Sequence, residues 1–153
     1  RLVSSPALRT ASRGAAVAEP NTRDLERLKG VDTLLAAVTL QVIRRHPVEC
    51  HVSEGLRTAA RQRELVAAGK SKTLDSKHLT GHAVDLVVMP GGKPDWSPKV
   101  YTELARTFAQ VALEFGLPVR WGGSWRWISG PKCSDYPFLA AKFFDGPHFE
   151  VER

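Results

Sequence analysis

Residues 76–85, Ser-Lys-His-Leu-Thr-Gly-His-Ala-Val-Asp, run straight into Leu86-Val87-Val88-Met89, and this junction decides how the chain is read. His78 and His82 are four apart, a spacing that in a helix puts two imidazoles on one face, as in H-E-x-x-H zinc sites. The local sequence opposes a helix: Gly81 separates the two histidines, no Glu follows His78, and Val84 with the 86–89 run favours a strand. The stretch reads instead as a glycine turn entering a buried strand that breaks at Pro90-Gly91-Gly92. In that form His78 and Asp85 meet across the Thr80-Gly81 turn. Nothing makes His82 converge with them, so it stays outside the candidate site.

A third partner is found near the other end, in Asp145-Gly146-Pro147-His148-Phe149-Glu150. Two imidazoles and one carboxylate, His78, His148 and Asp85, hold a zinc ion and leave a coordination position for water, the layout of a catalytic rather than a structural site. Zinc lowers the pKa of such a water from 15.7 to about 7. Asp145, three residues before His148, can take the proton and return it to a leaving amine, which is metal-assisted amide hydrolysis. The developing oxyanion needs a cation, and Arg57, at a strand-to-helix junction, is the candidate. Each residue also has a plainer reading: a hydrogen-bonded core histidine, an Asp-Gly-Pro turn at Asp145, a helix-start cation at Arg57. Glu150 is a candidate to orient a ligand.

Working outward, residues 1–20 are rich in Ala, Ser and Arg without apolar periodicity and read as a tail or linker, leaving 21–153 as one catalytic domain. Leu25, Leu28, Val31, Leu35, Val38 and Val42 recur at spacings of three and four, predicting one amphipathic helix from Asn21 or Thr22 to His46-Pro47. A strand over 48–56 carries Val48, Cys50 and Val52 on one face. Thr58 caps a short helix over 59–68 that stops at Gly69. Ser97-Pro98 starts a second long helix with Val100, Leu104, Phe108, Val111 and Phe115 as its buried stripe. Short strands are expected over 119–121 and 147–151, with a Trp-dense turn at Trp121, Trp125 and Trp127 that packs and contributes to a groove. The mixture lacks regular β-α-β alternation and predicts an α+β fold: a small, mainly antiparallel sheet packed with two long helices and a shorter one, the zinc site at the sheet.

Length and balance fit this reading. The 153 residues are 42% hydrophobic and 25% charged, ordinary values for one globular domain. Twenty-two Lys and Arg against 16 Asp and Glu give a net charge of +6 and a pI near 9.7, which suits an anionic partner without choosing among nucleic acid, membrane phosphate and wall polymer. Cys50 and Cys133 lack C-x-x-C spacing, excluding a cysteine zinc ribbon or thioredoxin-type motif, and are expected to be separate thiols. No apolar run reaches the length of a membrane span, and no signal peptide is visible.

Ser76-x-His78-x-x-Gly81-x-Ala83-x-Asp85 with Asp145-x-x-His148-x-Glu150 resembles the zinc peptidases that include D-Ala-D-Ala carboxypeptidases, D-alanyl-D-alanine dipeptidases and phage L-alanyl-D-glutamate endolysins. The resemblance extends to Gly55-Leu56-Arg57-Thr58 and Trp121-Gly122-Gly123-x-Trp125, so it covers about residues 48–151 in order. It implies Zn2+ bound by His78, Asp85 and His148, Asp145 as catalytic acid/base, and Arg57 holding substrate or polarising its carbonyl. The Trp-Gly-Gly-x-Trp run and the Asp before the final His look most like the L-alanyl-D-glutamate endopeptidase branch; many members have Asp where this chain has Ser124. The expected function is therefore hydrolysis of the L-Ala–D-Glu bond of the peptidoglycan stem peptide by an endolysin-like enzyme. It would be a monomer made in the host cytoplasm as a phage lysis protein, acting at the bacterial cell wall or periplasm without a specific nucleic-acid partner. The alternatives are a D-Ala-D-Ala carboxypeptidase or dipeptidase, and a basic wall-binding or nucleic-acid-binding module with a structural metal.

Overall fold

A computed structural model describes residues 18–152 of the chain. Of the tail expected at 1–20, positions 1–17 fall outside the described residues. Five strands, β1 (Cys50–Glu54), β2 (Ala83–Val88), β3 (Arg120–Trp121), β4 (Arg126–Trp127) and β5 (His148–Glu150), form one antiparallel sheet in the order β1-β2-β5-β3-β4. Helices α1 (Thr22–Arg27), α2 (Thr33–Arg45), α3 (Ala59–Ala67) and α4 (Pro98–Glu114) complete the α+β architecture that the sequence predicts.

The single helix expected over 21–46 is two. Gly30 adopts φ +79 and ends the first segment, and Asp32 caps the second by accepting from the Leu35 amide at 3.0 Å. The break also turns α1 so that Leu25 is half exposed and Asp24 is fully buried. Asp24 is satisfied there by the Val52 amide (2.7 Å), the Asn21 amide (2.8 Å) and His51 Nδ1 (2.8 Å). A need for acceptors at the end of the sheet thus overrides the apolar period.

α2 and α4 pack on one face of the sheet. Leu35, Val38, Val42 and Ile43 meet Leu104, Phe108 and Val111 over Val52, Leu86 and Val88, all buried. Phe108 stacks on Phe149 at 4.1 Å between ring centroids; truncating either ring would cost about 3–5 kcal/mol. Cys50 is buried in β1, as expected, and burial pushes its thiol up to about 12, while Cys133 is exposed and neither forms a disulfide.

The other face of the sheet carries polar chemistry. Along β2 the core takes Val84, Leu86 and Val88, so the period of two turns Asp85 to the opposite face. A register shift between Val52 and Glu54 sets Glu54 opposite Asp85, and Asp85 stands opposite His148. Glu54, Asp85 and His148 therefore form one row across three strands, and partners in such a row present their side chains to each other.

Candidate active site

His78 enters this row from a 3-10 turn, Lys77–Thr80, where a glycine turn alone was expected. Ser76 starts it by accepting from the His78 amide at 3.2 Å, and Gly81 ends it at φ +74. Gly81 has a second constraint: a Cβ there would lie 2.1 Å from the Gly30 carbonyl oxygen, so the break between α1 and α2 docks against the turn. The His78 carbonyl accepts from the Arg57 amide at 2.9 Å, which fixes the turn to the end of β1.

The two histidine rings are oriented from behind. His78 Nδ1 lies 2.8 Å from the Gly55 carbonyl, which only accepts, so Nδ1 carries a proton. His148 Nε2 lies 2.8 Å from Glu150 Oε2 and donates in the same way. The remaining nitrogens, His78 Nε2 and His148 Nδ1, both face Asp85 Oδ1, at 3.2 and 3.1 Å. The three ligand atoms lie within 4.8 Å of one another. With both outer nitrogens committed as donors, neutral imidazoles would aim two lone pairs at a carboxylate oxygen, so the cluster demands positive charge at its centre. Protonation supplies one form of it: burial disfavours the imidazolium, but hydrogen bonds to Asp85 and Glu150 outweigh it and push His148 up to about 10. Burial would raise the Asp85 carboxyl, and the bonds from His148 and His78 instead hold it far below the usual carboxylate range. A divalent cation answers the same demand with three preoriented donors, so His78, Asp85 and His148 fit a metal ion.

The other residues expected at the site line the same cleft, whose volume is about 480 Å³. Asp145 is half buried on the turn before β5, and its carboxyl is raised above the usual range by burial first and by the Asp85 charge second, against the pull of His148, His78 and Arg57. The Trp121-Gly122-Gly123 turn holds it in place. The Asp145 amide donates to the Gly122 carbonyl at 2.9 Å, Trp121 Nε1 donates to the Gly146 carbonyl at 2.8 Å, and the Gly122 amide donates to the His148 carbonyl at 2.8 Å. A Cβ on Gly122 would lie 2.5 Å from the Asp145 carbonyl oxygen and 2.9 Å from His148 Cβ. Only glycine permits that crossing.

Arg57 is buried beside the ligand row. Its Nε and Nη2 donate to the two Glu54 oxygens at 2.9 and 2.7 Å, Nη1 donates to Gln62 Oε1 at 2.7 Å, and Nη2 stands 3.6 Å from Asp85 Oδ2. His82 does not join the cluster; its Nδ1 pairs with Thr80 Oγ1 at 2.9 Å. His46 and His51 are likewise remote, the first buried against Thr107, the second tied to Asp24 and Glu49. Sequence reasoning missed Glu54 and Gln62 as the partners of Arg57. Their offsets of three before and five after it were visible, but only the strand irregularity and the turn into α3 make them converge.

A family model described as phage L-alanyl-D-glutamate peptidase matches residues 19–152. The chain belongs to this family. It is 28% identical over 130 residues to the L-alanyl-D-glutamate peptidase of Escherichia phage T5, covering 82% of this chain and 92% of the relative. It is 31% identical over 103 residues to the L-alanyl-D-glutamate peptidase of Listeria phage A118, covering 67% of this chain and 30% of that longer relative. Among solved structures, the Serratia marcescens L-Ala D-Glu endopeptidase ChiX matches with a TM-score of 0.71 and 42% identity, covering 86% of this chain and 87% of its own. The L-alanyl-D-glutamate peptidase branch singled out by the Trp-Gly-Gly-x-Trp run is thus the one the chain falls in. Among the described residues, no helix is long and apolar enough to cross a membrane.

Proposed function

We propose that this chain is a zinc-dependent peptidoglycan hydrolase that cuts the L-Ala–D-Glu bond of the stem peptide, with residues 21–153 as its catalytic unit. The observation that carries the reading is the meeting of His78, Asp85 and His148 with Asp145 in one cleft, in a chain whose relatives are named for this bond. Zinc held by His78, Asp85 and His148 would supply Lewis-acid polarisation of a peptide carbonyl and acidify water near neutral pH. Asp145 takes the proton of the attacking water and delivers it to the departing D-Glu nitrogen. Burial of Asp145 makes its carboxyl less acidic, which suits a group that takes a proton from water and holds it until the amine leaves.

Arg57 contributes a fixed positive charge. With Nε, Nη1 and Nη2 all engaged by Glu54 and Gln62, the guanidinium cannot swing, and it sits close enough to Asp85 to steady that carboxylate while favouring negative charge developing beside it. The chain's net charge of +6 favours approach to an anionic wall.

The test is mass spectrometry of digested purified peptidoglycan. New N-terminal D-Glu is expected; released D-Ala or D-Ala-D-Ala would indicate the carboxypeptidase or dipeptidase reaction instead. An Asp145→Ala protein should keep its fold and its zinc and lose activity by about 10²–10⁴-fold. Unchanged hydrolysis by that variant, or active protein free of zinc, would overturn the mechanism.

A further inference from the structure

Among the described residues, five cations line the cleft: Arg57, Lys70, Lys72, Lys77 and Arg120. Three of those lining it are committed: Arg57 to Glu54 and Gln62, Lys77 to the Val151 carbonyl at 3.0 Å, and Arg120 to Glu150 and the Trp125 carbonyl. Lys70 and Lys72 differ. Among the described residues no salt bridge engages either, and both lie on the 70–76 segment that forms one side of the cleft.

That segment is fastened down. Gln62, buried on α3, donates from Nε2 to Ser71 Oγ at 2.9 Å and to the Thr73 carbonyl at 2.5 Å, while its Oε1 accepts from Arg57. So held, the segment lays Lys72 Nζ 4.3 Å above the Phe143 ring. Phe143 stacks on Trp125 with centroids 6.2 Å apart and planes 8° apart, and Trp125 meets the His148 ring at 5.4 Å. An aromatic wall therefore runs from a candidate metal ligand to an ammonium that, among the described residues, no salt bridge engages. A lysine resting on a ring keeps that charge available, and its flexible stem lets it swing toward an anion laid along the wall.

We propose that Lys72 is a specificity-determining residue that binds the free carboxylate of the substrate's glutamyl residue, the one not used to continue the peptide. This rests on the peptidase reading above and adds a preference for a carboxylate over the corresponding carboxamide. Arg57 and Arg120 are already paired with Glu54 and Glu150, Lys77 is anchored on the Val151 carbonyl, and Lys72 is the cation laid on the aromatic wall.

The experiment compares two stem-peptide substrates that differ only in that group, free acid against primary amide, with kcat and KM measured separately for the unaltered protein, Lys72→Met and Lys72→Arg. The unaltered protein should prefer the acid by about fivefold in kcat/KM, expressed in KM, the scale of one solvent-accessible ion pair. Lys72→Met should raise KM for the acid far more than for the amide, so that the ratio falls to near one, and Lys72→Arg should restore most of it. An acid preference that survives in Lys72→Met, or its absence from the unaltered protein, overturns the proposal while leaving the peptidase reading intact. Failure to cut either peptide would bring down the peptidase reading and this inference with it.

Discussion

On one side of the cleft Asp85 and His148 stand on paired strands, while on the other Lys72, Trp125 and Phe143 stand on irregular segments tied together by side chains. The first side takes its geometry from backbone register, which a single side-chain change does not slip, because shifting a strand by one residue would turn Val84, Leu86 and Val88 out of the core. The second side depends on a few hydrogen bonds: Gln62 to Ser71 and Thr73, and Trp125 Nε1 to the Phe143 carbonyl at 2.7 Å. On the proposed mechanism, two of the metal ligands sit on the stiff wall and substrate fit on the adjustable one. A mutation on the sheet side should abolish turnover with the fold intact, and one on the loop side should change KM first.

The strongest way to break this division is at Asp85, which both histidines face. Asp85→Ala should cost the protein its metal and lower activity by about 10³-fold, since the Lewis-acid contribution it would forfeit is several kcal/mol. The surrounding register should persist, giving a native far-ultraviolet circular dichroism spectrum. Metal analysis beside a wall-hydrolysis assay checks this, and retention of both metal and activity would remove Asp85 from the ligand set.

Gly122→Ala probes the seam between the two sides. The added methyl has nowhere to go between the Asp145 carbonyl and His148 Cβ. Either the Asp145 turn or β5 must move, at a cost of about 1–3 kcal/mol. A shift of order 1 Å between Asp145 and the ligand row should lower kcat by about 100-fold. Thermal melting and steady-state kinetics on the same preparation separate the two effects; a normal kcat would mean that the turn tolerates displacement.

The sheet side was largely legible in the sequence, and the physical reason is its locality. His78 and Asp85 lie within eight residues, the strand that follows them is marked by its β-branched run, and Asp145 and His148 sit within four. What local pattern could not give was the bulge that brings Glu54 opposite Asp85, since one inserted residue leaves no compositional trace. The split of the first helix was missed because Leu25, Leu28 and Val31 keep a helical period on both sides of Gly30, although Gly30 followed by Asp32 was a readable stop and start. The loop side was hardly legible at all. Lys72 is more than fifty residues from Trp125 and seventy from Phe143, and only closure of the whole sheet brings them together.

Gln62 should give the mildest and most discriminating effect, because its two ends serve different partners. Replacing it with Leu, of similar volume, leaves Arg57 Nη1 without its acceptor and frees the 70–76 segment at once, and an unpaired buried donor costs about 1–3 kcal/mol. Gln62→Glu keeps an oxygen for Arg57 and removes the bond from Nε2 to the Thr73 carbonyl, while the Ser71 hydroxyl can turn to donate to the new carboxylate. If the segment shapes the substrate side, Gln62→Glu should raise KM by about fivefold, one lost hydrogen bond's worth, with kcat nearly constant. Gln62→Leu should add a fall in kcat, because Arg57 is then less firmly held beside Asp85. Equal kcat losses in both variants would mean that Arg57 and the segment move as one unit, and the division between a stiff and an adjustable wall would then have to be drawn beyond Gln62 rather than through it.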